Sequence, residues 1–280
     1  MTKIKLVVSD LDGTLLDGNH QLNQLTIDTV INIQKLGIKF VIATGRNYYS
    51  LDEIYEKLKL NENDGYVIGS NGQQLYDFSN NKLFKEGKIS ESDGYNIRQL
   101  CYKNKLNTII FYDDMIYSNN SLVLSILIKF KYILEKINKS ISDRGFENYN
   151  SIKKNTIIRG DLNKVCILSS NKRRINKLKA ELGNDFEVLC LNKYWYEIMP
   201  KGINKGVMLD KIMERENLSR EEVIVFGDGE NDIEMLKRVD NSYAMSNAMN
   251  TVKNYANYIA DSNSNNGVIK VLKKKIINNT

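Results

Sequence analysis

Residues 4–14 read IKLVVSDLDGT, and this stretch decides the fold. Residues 4–9 are a short apolar, β-branched run set between charged residues and closed by a glycine-containing turn, the pattern of a strand buried on both faces. Such a strand carries Asp10 to its C-terminal end. In open parallel sheets ligands bind beyond the carboxyl ends of the strands, so Asp10 stands at the mouth of a site and Asp12, two residues on, faces the same space. Gly13 lets the backbone approach a ligand closely, and Thr14 adds a hydroxyl donor. Two carboxylates this close raise each other's pKa unless a cation lies between them, which points to a divalent metal. A solvated Asp-rich turn is the competing reading of the motif taken alone.

Outward from this strand, Leu25, Val30, Ile31 and residues 33–36 recur at helical spacing, Gly37 stops the helix, and residues 38–43 (IKFVIA) give a second apolar strand. A helix near 50–60, a third strand at 66–68 and a hairpin over 74–84 turning at Asn80 and Asn81 follow. After Pro200 the alternation returns, with a helix over 205–216, a Ser219-x-x-Glu222 start signal, a strand at 223–226, a helix over 231–239, a strand at 242–245 and a lysine-rich terminal helix. Strands near 6, 40, 67, 225 and 243 separated by helices predict an α/β fold with a parallel sheet wound on both faces. Between these halves the texture differs. Helices over 91–105, 122–137 and 172–182 are interleaved with β-rich runs at 108–112, 115–117, 165–169, 186–191 and 194–199, an α-β-β pattern that occurs twice. The predicted organisation is therefore a core of residues 1–84 and 191–280 interrupted by an inserted α+β cap over 85–190.

Three further clusters carry chemistry. Residues 227–232 (GDGEND) follow the strand at 223–226 directly, and Asp228 and Asp232, four apart, can both point to the N-terminal end of the next helix. With Asp10 they compose an oxygen-rich site for a hard cation, although an N-capped helix start with charged decoration fits the motif viewed alone. Thr44, Gly45 and Arg46 follow the second strand and bring a hydroxyl, a permissive glycine and a guanidinium to the same edge. Lys205, at a helix start, is a compact charge suited to an anionic transition state. A lone Thr-Gly-Arg or Lys-Gly is usually surface decoration, and the weight lies in the combination.

In its motifs the chain resembles the haloacid dehalogenase-like superfamily of aspartate-nucleophile phosphatases, specifically the Cof-type branch. Residues 10–15 (DLDGTL), Thr44-Gly45-Arg46, Lys205-Gly206 and residues 227–232 match the four family motifs in order. The resemblance implies a Rossmann-like core with an inserted cap. It makes Asp10 the nucleophile that forms an aspartyl-phosphate and Asp12 the acid and then the base. It places Mg²⁺ on Asp10, the backbone carbonyl of Asp12 and Asp228, with Asp232 near or in the shell. Thr44 and Lys205 would hold the phosphoryl oxygens, Gly45, Arg46 and Asn231 would line the phosphate or substrate, and Ser70-Asn71-Gly72 matches the family's Asn-Gly loop. Two positions depart from the pattern: Ser246-Asn247-Ala248 stands where Gly-Asn-Ala is common, and Asn266 where an acidic residue is usual.

Composition is consistent with this reading. The 280 residues are 42% hydrophobic and 26% charged with a net charge of +6, values of a globular chain. The three cysteines lack metal-ligand spacing and read as reduced packing residues of a cytoplasmic protein, and no stretch predicts a membrane span. Residues 85–190 hold 19 Lys plus Arg against 12 Asp plus Glu, so the basic excess belongs to the predicted cap. That suits capture of a small phosphorylated metabolite by a monomer or small homo-oligomer better than a nucleic-acid surface. A phosphomutase of the same superfamily, a nucleic-acid binder using Lys172-Arg173-Arg174, and a non-catalytic anion-binding protein are the alternatives. His20, the sole histidine, reads as an exposed loop residue, and Trp195 as packing.

Overall fold

The computed structural model describes residues 3–112, 115–118, 149–151, 159–191 and 193–279. The chain divides into two compact units, one of residues 1–85 and 204–280, the other of residues 86–203. The expected return to the core at 191 is therefore displaced. The strand Trp195–Pro200 pairs antiparallel with Phe186–Cys190 on one side and Lys164–Leu168 on the other, and these hydrogen bonds hold it in the second unit.

The first unit is built on an eight-stranded sheet. Its strands are β1 (Leu6–Asp10), β2 (Lys39–Ala43), β3 (Tyr66–Gly69), β4 (Gln74–Asp77), β5 (Lys82–Lys85), β12 (Val223–Gly227), β13 (Asn241–Met245) and β14 (Tyr258–Ala260), in the order β14-β13-β12-β1-β2-β3-β4-β5. From β14 to β3 all neighbours are parallel, and β4 and β5 add an antiparallel hairpin at the edge. Every residue of β1, β3 and β12 is buried, as expected of apolar strands covered on both faces. From β1 the chain builds outward through β2 and β3 in one direction, and after the second unit it returns to build β12, β13 and β14 in the other. The reversal lies at β1 and β12, and a crevice at such a point is where open sheets bind ligands.

Helix Gln24–Lys35 shows how the amphipathic pattern resolves. Asn23 caps it by accepting from the Thr26 amide at 2.9 Å. The helix buries Thr26, Thr29, Val30, Ile33 and Gln34, while Leu25 and Leu36, which the periodicity places inward, are each 42% exposed. Burial of the polar side chains is tolerated because Thr29 Oγ1 donates to Leu25 O at 2.7 Å and Gln34 Nε2 to Leu58 O at 2.7 Å. The apolar run at 223–226 and the short Tyr258–Ala260 strand extend the sheet; the latter, with Tyr258 and Ile259 exposed, has no alternating signal in the sequence.

The second unit contains a six-stranded, mainly antiparallel sheet. Its strands are β6 (Asn107–Tyr112), β7 (Met115–Ser118), β8 (Tyr149–Ser151), β9 (Lys164–Leu168), β10 (Phe186–Cys190) and β11 (Trp195–Pro200), ordered β10-β11-β9-β6-β7-β8. The helices Glu91–Lys103 and Lys172–Glu181 contribute Ile97, Cys101, Ile175 and Leu178 to a core with Ile110, Val165, Ile167 and Ile198. The doubled pattern corresponds to the hairpins β6-β7 and β10-β11, each following one of these helices, with β9 between them. The helix expected over 122–137 lies outside the described residues. Lys172, Arg173, Arg174, Lys177 and Lys179 all lie on the exposed side of their helix, which places a large part of the basic excess on a solvated face. Among the described residues no helix is long and apolar enough to cross a membrane.

Candidate active site

Strand register assembles the site within the first unit. Asp10 is the last residue of β1, and its pairing with Ala43 sets Thr44 one step beyond it on β2. On the other side Ser9 pairs with Phe226, so Gly227 comes level with Asp10 and Asp228 lies one step beyond. Three separate segments thus deliver Asp10, Thr44 and Asp228 to one edge of the sheet. The turn after β1 brings Thr14 Oγ1 to donate to Asp228 Oδ1 at 3.1 Å.

Lys205 enters from the helix Lys205–Arg215, whose start is capped by Asn204 Oδ1 accepting from the Val207 amide at 3.0 Å. Its ammonium donates to Asp10 Oδ1 and to Asp232 Oδ1, each at 2.6 Å, and the lysine is fully buried. The other oxygen of Asp232 accepts from the Asp228 and Gly229 amides, both at 2.9 Å. Asp232 therefore holds both the lysine and the loop that carries Asp228. A buried lysine with two carboxylates is a high-stakes arrangement, because either partner left alone would be a charge stranded away from water.

Carboxylate oxygens of Asp10, Asp228 and Asp232 lie within 4.8 Å of one another. Burial raises the Asp10 pKa well above the ordinary carboxylate range, and the charges of Asp232 and Asp228 push the same way against the ion pair with Lys205. Burial, followed by the charge of Asp232, pushes Asp228 up to about 7. Burial alone would lower the Lys205 pKa, but Asp10 and Asp232 outweigh it and carry it above the usual lysine value. One ammonium facing three carboxylates leaves an excess of negative charge in a buried oxygen-lined space, and this donor set fits a hard divalent cation.

Asp12 lies in a different environment. Arg46 grips it with a fork, Nε to Oδ2 at 2.8 Å and Nη2 to Oδ1 at 2.6 Å, and His20 Nδ1 lies 3.4 Å from Oδ1. Burial pushes its pKa upward, but the His20 contact and the Arg46 charge prevail and hold it well below the usual carboxylate range. The two aspartates of the motif are thus electrostatically distinct. On the far side of Thr44, the Asn71 amide donates to Thr44 O at 3.0 Å, and Asn231 Nδ2 donates to Asn71 Oδ1 at 2.9 Å. Asn71 adopts a left-handed φ of 55°. A Cβ on Gly45 would approach Asn71 Oδ1 to 2.9 Å, so the glycine of Thr-Gly-Arg makes room for this carboxamide.

The geometry brings Asp10, Asp12, Thr44, Gly45, Arg46, Lys205, Asp228, Asn231 and Asp232 to one edge, and adds three residues to those singled out as site residues. Thr14 and Asn71 are legible in the motifs that carry them, Thr14 as a hydroxyl donor and Asn71 in the Asn-Gly loop. His20 is not, since nothing in the sequence fixes the conformation that turns it toward Asp12. Asn247, beside the departing Ser246 and itself matching the motif pattern, donates to Gly13 O at 2.8 Å, and Asn263 Nδ2 donates to Leu16 O at 2.9 Å, so carboxamides from the C-terminal segment brace the turn after the first motif.

Gly13 gives a sharp local prediction. Its φ is +80°, and a Cβ there would lie 2.4 Å from Asp228 Oδ2. For an L-residue the left-handed conformation costs about 1–2 kcal/mol before the clash is counted. Gly13→Ala is expected to lower the melting temperature and to weaken binding of a divalent cation at the three carboxylates together, measured by thermal unfolding with and without the ion; an unchanged cation-induced shift would contradict it.

Comparison with known proteins identifies the family. A family model described as haloacid dehalogenase-like hydrolase matches residues 7–272. The chain belongs to the haloacid dehalogenase-like hydrolases. The hydrolase is 28% identical over 289 residues to a Mycoplasma genitalium protein that carries a provisional phosphatase name, covering 97% of this chain and 98% of that one. It is 26% identical over 256 residues to the HMP-PP phosphatase of Yersinia pestis, covering 89% and 86%. A crystal structure of a haloacid dehalogenase-like hydrolase from Bacteroides thetaiotaomicron superposes with a TM-score of 0.77 at 26% identity, covering 97% of this hydrolase and 99% of that chain.

Proposed function

We propose that the hydrolase is a Mg²⁺-dependent phosphomonoesterase of the cytoplasm acting on small phosphorylated metabolites, such as sugar phosphates, cofactor phosphates or nucleotides. The observation that carries the reading is the division of the two motif aspartates: Asp10 is buried among carboxylates and Lys205, while Asp12 stands apart on Arg46 and His20. Lys205 pairs with Asp10 and a bound cation would keep it ionised as a nucleophile, while a proton carrier at the leaving group needs a place apart from that charge. The phosphatase names of the relatives support the same class. Cys101, Cys166 and Cys190 form no disulfide and the first two are buried, in keeping with a reducing compartment.

In this reading Asp10, Asp228 and the backbone carbonyl of Asp12 would hold a divalent cation, with Asp232 beside them. When bound, the ion cancels the repulsion between Asp10 and the phosphate dianion. An Asp10 oxygen attacks phosphorus and the bond to the leaving oxygen breaks; with Arg46 turned from Asp12 to the phosphoryl oxygens, the Asp12 carboxyl is released from the charge that holds its pKa down, carries a proton and gives it to that oxygen. Water then attacks the aspartyl-phosphate, Asp12 takes the water's proton, and Asp10 is released as carboxylate with inorganic phosphate as the second product. Thr44, Lys205, Arg46 and Asn231 provide hydroxyl, ammonium, guanidinium and carboxamide donors for the phosphoryl oxygens, and Gly45 keeps the loop open to them.

A screen of phosphorylated metabolites with phosphate release as readout tests this proposal. Chelation with EDTA is expected to abolish turnover and Mg²⁺ to restore it, and full activity in EDTA would remove the metal from the mechanism. Transfer of phosphate to a second position of the substrate, with none released to water, would favour the phosphomutase reading.

A further inference from the structure

Resting on the reading of Asp12 as acid and base, we propose that His20 is a positioning residue that holds the Asp12 carboxylate at Oδ1, the oxygen that also accepts from Arg46 Nη2. The turn that carries it is closed. Asp17 N donates to Gln21 O and His20 N to Asp17 O, both at 3.0 Å. Within the turn, Asp17 Oδ1 accepts from the Asn19 amide at 2.8 Å and the Gln21 amide at 3.0 Å. At its tip His20 takes a left-handed φ of 58°, a conformation uncommon for residues other than glycine and one in which histidine is enriched. The result is a ring on a braced loop with Nδ1 directed at Asp12 Oδ1.

The role follows from what Arg46 is asked to do. Its Nε and Nη2 are both bonded to Asp12, one to each oxygen, and a guanidinium fork turned to a phosphate cannot keep that geometry. If Arg46 shifts to the substrate, Asp12, whose side chain is 40% exposed, loses its two short bonds at the moment its orientation matters. His20 then stays as the neighbour that keeps the carboxylate toward the leaving group. At 3.4 Å the contact is longer than the roughly 2.7–3.2 Å of a formed N–H···O bond, and a small rotation of Asp12 as Arg46 departs closes it. Because the partner is a carboxylate, Nδ1 must be the protonated nitrogen.

The test uses His20→Gly, which tolerates the left-handed backbone and has no side-chain donor. The variant is expected to lose roughly 10–100-fold in kcat/KM on an alkyl phosphate, part of the ~10²–10⁴-fold a general acid supplies. On 4-nitrophenyl phosphate, whose leaving group needs little protonation, the loss is expected to stay below about 3-fold. In an Asp12→Asn background the same change should cost nothing further, because residues that act through one another are not additive. Equal losses on both substrates, or an undiminished loss in the Asp12→Asn background, would overturn the proposal. A second readout needs no turnover. His20 is the sole histidine, so ¹⁵N labelling gives one imidazole, expected in the Nδ1–H form and expected to shift on Asp12→Asn. An unaltered ring signal overturns the proposal even in an active phosphatase. A shifted signal in a protein without phosphomonoesterase activity supports the contact and overturns the function proposed above.

Discussion

Asp10→Asn is expected to reduce phosphatase turnover by at least ~10⁴-fold, because the proposed mechanism makes Asp10 the nucleophile, and replacing one member of a group of residues that act as a unit removes most of their joint effect. The carboxamide keeps an oxygen where Lys205 Nζ now donates at 2.6 Å, so the buried ammonium retains an acceptor there and keeps its ion pair with Asp232. The substitution also removes one of three mutually repelling carboxylates, whose burial and proximity raise the Asp10 pKa. Loss of activity should therefore come without loss of fold, and thermal unfolding should stay within a few degrees of the parent. In acid-quenched reactions the parent should carry phosphate on Asp10 and the variant none. Activity above about one per cent, or a phosphorylated variant, would reject Asp10 as nucleophile.

How far the sequence carries depends on whether the signal is local. The apolar runs at β1, β2 and β12 specify buried strands by composition, and a glycine-containing turn or loop after each specifies where the site lies, so the edge holding Asp10, Thr44 and Asp228 is legible before any coordinates. Lys205 is legible as a helix start. What is not legible depends on long-range pairing. The predicted boundary at 190 cuts the second α-β-β copy before its last strand, 194–199, which the bonds of β11 to β9 and β10 hold in the second unit. The short β14 has two exposed side chains in three and forms because β13 offers it a parallel edge. The inward face of Gln24–Lys35 is set by hydrogen bonds from Thr29 and Gln34 that hydropathy does not register. In the site, the motif pattern gives the residues but not their pairing: Arg46 reads as a phosphate contact, and the structure shows its fork on Asp12.

That pairing logic makes Lys205→Met the substitution with the largest expected effect on stability. Methionine fills a similar volume, so packing is conserved while the charge is lost. Asp10, Asp228 and Asp232 then remain together with no buried cation, and breaking a buried pair by removing one partner costs about 3–5 kcal/mol. The loss should depend on pH in a defined sense. A carboxyl whose folded pKa is raised contributes stability that is fully present below the unfolded value, near ~4, and lost as pH rises through the folded value. For Asp228 that folded value is about 7 already with Lys205 in place. In metal-free protein, urea denaturation should therefore show Lys205→Met least compromised near pH 5 and most compromised near pH 8. Millimolar Mg²⁺ should restore part of the loss, because an ion that binds only the folded chain stabilises it by mass action and here also meets the uncompensated charge. Turnover should remain depressed by about 10²–10³-fold even when the fold is restored, since a donor to the developing phosphoryl charge is gone. A variant equally stable at pH 5 and pH 8, or one that Mg²⁺ leaves unchanged, would mean that the three carboxylates do not share the electrostatic burden that the positions of Lys205 and Asp232 imply.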